Sequence, residues 1–307
     1  ILVKSGGDIT TGTSLTFQTQ GGNITFWGDS DANSAGRIAF NSTNSLLSNG
    51  GAITVAGGAD NGAATVVAGR TSGDGLPDGF AAGNGSTSGC TASTGTLQGV
   101  FFGTTTTIAS GAGDVFVAGK GLTGATGNCA SGIIANQDLW ITTSGKVAMY
   151  GTANAAAAST YSGGVLLYGN TTRKTIVSSS NSAADAVVIS GIAGPTASMR
   201  SSGIFVHGQS AGANVNTIVA NTGSGGVQFI GRSVPTTAET LADNVGDAVD
   251  ISGAAILAKS GDIVITGVTG AANTSNRYGF GIDQSSAASL TNNSASFGAR
   301  AATTVNG

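Results

Sequence analysis

Oxygen-bearing side chains alternate in Asp29-Ser30-Asp31-Ala32-Asn33, the spacing with which a loop begins to wrap a hard cation that wants several oxygens close together. A complete calcium loop would put a glycine at position 34 and a bidentate glutamate at position 40, where the chain has Ser34 and Phe40. Asx turns, in which such side chains bond their own backbone, account for the same residues. The Gly-Gly-x-Gly-x-Asp calcium nonapeptide does not recur. Asp29, Asp31 and Asn33 are therefore calcium candidates weighed against an Asx turn, and no metal or cofactor is expected.

Carboxylates gather once more at Asp243, Asp247 and Asp250, where a β-helical polysaccharide-cleaving enzyme would keep its acid and base in a groove along the strands. Asp247 and Asp250 are an odd number of steps apart, which puts them on opposite faces of a strand. Solvated loop ends explain them better, and His207, the single histidine, has no serine or cysteine partner assignable in a triad. An enzyme is not expected. The two cysteines, Cys90 and Cys129, have no metal-ligand spacing. Each lies in a polar stretch just before an equivalent strand start, Gly99-Val100-Phe101 or Gly132-Ile133-Ile134, so a disulfide between them in an oxidising compartment is expected, with two separate thiols as the alternative. The glycosylation sequons at Asn41 and Asn170 are expected by chance in a chain so rich in Ser, Thr and Asn.

The elements that must hold these residues are strands. Gly22-Asn23-Ile24-Thr25-Phe26-Trp27-Gly28 sets a pattern of glycine, any, apolar, any, apolar, any, glycine. It returns at Gly51 to Gly57, Gly113 to Gly119, Gly145 to Gly151, Gly163 to Gly169, Gly225 to Gly231 and Gly261 to Gly267, with one-residue variants ending at Gly191, Gly208 and Gly253. Alternation of this kind is a half-buried strand, and the flanking glycines read as turns with φ > 0. Ile24, Val55, Val117, Val147, Leu167, Ile189, Val206, Phe229, Ile251 and Ile265 should then share one interior. The sixth place, Trp27, Tyr150, Tyr168 and His207, faces out as a column that either contacts sugar rings or a neighbouring filament or packs under a loop.

The closing glycines recur every ~19 residues with a spacing that drifts, as loops of a solenoid allow and its stacked strands do not. At ~4.8 Å per coil, ~12 to 15 coils would make a rod ~60 to 70 Å long. The expected fold is thus all-β, a right-handed parallel β-helix (β-solenoid) occupying 1–307 as one elongated domain. Loop insertions project near 71–99, 121–131 and 232–246. Composition agrees: glycine supplies 52 positions and charged residues are only 9%, against ~25% in ordinary soluble domains. A net charge of −3 without a Lys/Arg run argues against nucleic acid. No apolar stretch has the ~18 residues of a membrane span, so no membrane insertion is expected.

The segments GGNITFWGDSDANSAG, GRIAF and SNGGAITVAGG, with the copies that follow over most of the chain, resemble the central repeats of filamentous-haemagglutinin-like giant exoproteins of Gram-negative bacteria. The resemblance implies a secreted chain at the cell surface, a right-handed parallel β-helix and the work of an adhesin. The family's amino-terminal secretion domain is not recognisable. The leading expectation is a structural or adhesive shaft of an extracellular surface fibre, meeting glycans or host and neighbour cell surfaces. A head-to-tail polymerising filament subunit is the alternative, and a polysaccharide-cleaving β-helix the third. Ile1-Leu2-Val3-Lys4-Ser5-Gly6-Gly7-Asp8-Ile9 is echoed at Ile256 to Ile263, so the chain is expected to be a segment of a longer array whose ends continue the stack.

Overall fold

The computed structural model of the chain describes residues 1–61, 71–85, 97–124, 129–153, 162–170, 172–194, 202–208, 216–233, 247–269, 280–283 and 304–306. Among them every regular element is a strand. The chain winds as a right-handed parallel β-helix with three flat faces, each a parallel sheet. One coil visits all three: Leu2–Lys4 on the first face, Ile9–Thr11 on the second and Leu15–Gln18 on the third, before Ile24–Gly28 returns to the first.

Val115 pairs with Val147, Val147 with Val187 and Val187 with Val227, so these coils take 32 to 40 residues rather than ~19. The shorter interval arose because glycine-closed strands occur on two faces. Gly28, Gly57, Gly119, Gly151, Gly191 and Gly231 belong to the first face, whereas Gly169 and Gly208 belong to the second. The first face runs through nine rungs from Leu2–Lys4 to Thr304–Asn306, a height of ~40 Å at ~4.8 Å per rung. The rod is therefore shorter, and each coil wider, than the spacing predicted.

The interior is built from straight columns. On the first face Phe26, Val55, Val117, Met149, Ile189, Phe229 and Ile265 lie in register, next to Ile24, Ile53, Val115, Val147, Val187, Val227 and Ile263. The second face adds Phe40, Phe102, Ala135, Leu167, Val206 and Ile251. All ten residues assigned to one interior are in its main cluster, at most 4% exposed. Each buried Val, Leu or Ile contributes ~1.5–3 kcal/mol. Phe40 and Phe102 stack with ring centroids 5.4 Å apart.

The motif glycines do not serve the purpose assigned to them. Gly253 excepted, none lies at positive φ. Most of them sit instead where one coil's backbone touches the next stretch of chain: a Cβ on Gly151 would come 1.9 Å from the Gly164 carbonyl oxygen, and one on Gly113 2.0 Å from that of Gly51. Close approach, not conformation, requires these.

The third face has its own corners. Asn44, Thr106, Thr175 and Thr217 turn inward at its entry. There Thr175 Oγ1 donates to the Tyr168 carbonyl at 2.8 Å and Thr217 Oγ1 to that of His207 at 2.7 Å. At its exit Ser48 Oγ donates to the carbonyls of Gly51 and Ser110, Ser110 Oγ to that of Gly113, and Ser179 Oγ to that of Gly145. Buried hydroxyls thus saturate carbonyls that the strand ladders leave over.

Where they are described, the first two insertions have residues that lie against the coils. The excursion placed at 71–99 leaves the coil earlier, at Gly58, and returns as Ala81–Ala82, which pairs with Gly119 and Lys120 of the next rung. In that at 121–131, Cys129 is fully buried against Phe101 and Ile134 on the outside of the second face. Residues 234–246 lie outside the described residues.

Candidate functional sites

In the Asp29 loop, positive φ at Asp29, Ala32 and Ser34 curls the backbone round a carboxylate that is 4% exposed. Asp29 Oδ1 accepts the amides of Ser34 at 3.0 Å and Ala35 at 3.3 Å. Asn33 Oδ1 accepts the Ala35 amide, and Asp31 Oδ2 accepts Asn33 Nδ2–H. Protons from the chain itself address the oxygens that a cation would need. Burial pushes the Asp29 pKa up, opposed by those amide hydrogen bonds.

A second acidic group was not read from the sequence. Asp60, Asp74 and Asp78 bring carboxylate oxygens within 4.8 Å of one another in the first excursion. Asp60 accepts the amides of Gly73 and Gly75, and Asp74 that of Leu76. Twelve or more residues separate Asp60 from the other two, so only the return of the loop onto the coil joins them, and no local spacing signals it. Oxygen ligands of this kind suit a hard cation, but amide donors engage Asp60 and Asp74 as they do Asp29.

The outward aromatic column divides in two. Trp27 and Tyr150 are on the first face; Tyr168 and His207 pair on the second. Trp27 is only 4% exposed, its Nε1–H donating to the Gly58 carbonyl at 2.7 Å with Lys4 Nζ 3.7 Å over the ring. Tyr150 is half-buried against Phe116, and that burial raises its pKa. Tyr168 and His207 flank Phe205, whose ring lies nearly parallel to the imidazole at 5.4 Å. Trp27 and Tyr150 are thus packed under neighbouring chain rather than forming a strip with the other two.

Asp250 lies on the outside of the second face, opposite Phe205 in the rung before, and Asp247 precedes its strand, where its carbonyl accepts the Gly203 amide. Both are at most 5% exposed. Asp243 is outside the described residues. So is Cys90; Cys129 carries no free thiol and is disulfide-bonded.

The three outer surfaces differ in what they present. On the second, Ala39, Phe101, Ile134 and Leu166 point outward and yet are at most 2% exposed, being covered by chain. The first carries Lys4, Lys120 and Arg232 among its outward residues. The third has two outward columns, Thr16, Ser45, Thr107, Trp140, Ile176, Ile218 and Ala255 beside Gln18, Leu47, Ala109, Thr142, Ser178, Ala220 and Leu257. None of these is charged.

Fold and sites together define a three-faced β-solenoid. Set against protein-family models, curated proteins and solved structures, the chain gives no match.

Proposed function

We propose that the chain is a length of the structural and adhesive shaft of an extracellular bacterial surface fibre. The observation that carries this reading is the unbroken parallel register of nine rungs on the first face, in which every coil supports the next and length is added without changing the cross-section. The disulfide at Cys129 accords with export to an oxidising compartment. The bacterial cell surface, and glycans or neighbouring cells as partners, follow from the resemblance of the repeats. Among the described residues no helix is long and apolar enough to cross a membrane.

Electron microscopy of native material tests the proposal: thin rods anchored to cells are expected, and globular particles would overturn it. A glycan-release assay should show no cleavage, whereas release would promote the enzymatic alternative.

A further inference from the structure

We infer that the third face is a side-to-side contact surface for a second copy of this chain, so that shafts bundle along their length. The inference deepens the shaft reading and rests on it for its biological meaning. The first face exposes Ile192, Ile230 and Val268, but beside like charges, and the second is closed. The outside of the second is already covered by the chain's own residues, Cys129 among them. Two first faces laid together would set Lys4, Lys120 and Arg232 against a surface of the same sign, and like charges brought together across an interface are repelled.

The third face opposes no charge to its copy. Loss of charged residues marks the cores of protein interfaces. Its central column also brings Trp140, 42% exposed, into line with Ile176 and Ile218 on successive rungs. Flat sheets of this kind pack face to face ~10 Å apart. Seven strands of about five residues give ~500 Å² per copy, or ~1,000 Å² in all, at the lower limit of a specific interface. Association of this chain alone is therefore weak and reversible, and grows as coils are added. Lys174 and Asp138 come just before their strands, outside the two columns, and Asp138 Oδ1 is engaged by the Lys174 backbone amide at 2.7 Å.

Sedimentation and small-angle scattering of the whole chain test this, comparing the native sequence with Ile176→Lys and with Ile230→Lys, a control at a 44% exposed site on the first face. The native chain should dimerise reversibly at high concentration with a widened cross-section. Ile176→Lys should weaken that association ~tenfold or more, Ile230→Lys should not, and circular dichroism should show both variants folded. A native chain that stays monomeric overturns the inference, as does association that lengthens the particle or responds equally to both variants. Monomers that bind insoluble polysaccharide, with binding lost in Trp140→Lys, would also overturn it and assign the face to a glycan. A monomer that scatters as a rod keeps the shaft reading when bundling fails; a monomer that is not rod-shaped removes the shaft reading itself.

Discussion

Gly151 and Gly124 separate two reasons for a chain to keep glycine. At Gly151 a Cβ would come 1.9 Å from the Gly164 carbonyl oxygen, whereas at Gly124, φ 73°, nothing lies within 4 Å. Gly124→Ala should therefore cost only the strain of a left-handed residue, ~1–2 kcal/mol, and Gly151→Ala should cost ~3 kcal/mol or more because backbone must move. Urea unfolding of the two variants checks the order. Asp29 makes a different case, since its raised pKa means that the fold disfavours its charge. Its contribution is fully present below the unfolded value of 3.8 and is lost as pH rises through the higher folded value. Asp29→Asn keeps an oxygen for the Ser34 and Ala35 amides without the charge. It should hold or raise stability at about pH 7 and flatten the fall in stability as pH rises above the unfolded value of 3.8. A marked loss at neutral pH would show that the ionised carboxylate is needed there.

Strands were legible where both inward places are apolar, as in Ile24–Gly28 and Val115–Lys120. They were least legible on the third face, where Thr175 and Ser179 turn inward on either side of Val177. Local alternation cannot distinguish these inward hydroxyls from outward ones, because the partners of Thr175 and Ser179, the carbonyls of Tyr168 and Gly145, belong to another strand and another coil. The second place of the motif was likewise taken as free. Asn23 Oδ1 accepts the Ala52 amide, and Asp114 Oδ1 that of Lys146 at 2.7 Å, so these residues extend the ladder from one coil to the next. Of the candidate sites, the Asx turn could be read because all its partners lie within a few residues. The aromatic column could not, since nothing local says which of two faces a glycine-closed strand joins. Two substitutions test the strand devices. Phe102→Ala removes a ring stacked on Phe40 and should cost ~3–5 kcal/mol. Ser110→Ala removes one of two hydroxyl donors to the Gly113 carbonyl, Thr143 Oγ1 being the other, and a partner of Thr143, and should cost ~1 kcal/mol. Equal losses would mean that the corner hydroxyls matter as much as the core.

At the scale of the molecule, the coil is the unit that can be removed. Deleting residues 147–186 takes out one complete turn, from Val147 to the residue before its partner Val187. Val115 would then meet Val187, Val117 would meet Ile189, and Gly119 would meet Gly191 at the crowded corner. Ile133 would stack on Ile204 and Ile141 on Val219, so each inward column continues with apolar residues at the strand centres. Nearest-neighbour stacking predicts that such a chain folds with its interfaces conserved and is shorter by one rung, ~4.8 Å. Removing 147–165 instead, close to the glycine interval, would bring a second-face strand to the end of a first-face turn and leave Leu166 and Tyr168 to find new partners. That chain should lose cooperative unfolding and near-ultraviolet dichroism, while the whole-coil deletion keeps both and shows the shortening in scattering. If both deletions fold equally well, the coil is not the repeating unit, and the register from Val115 through Val227 does not govern stability.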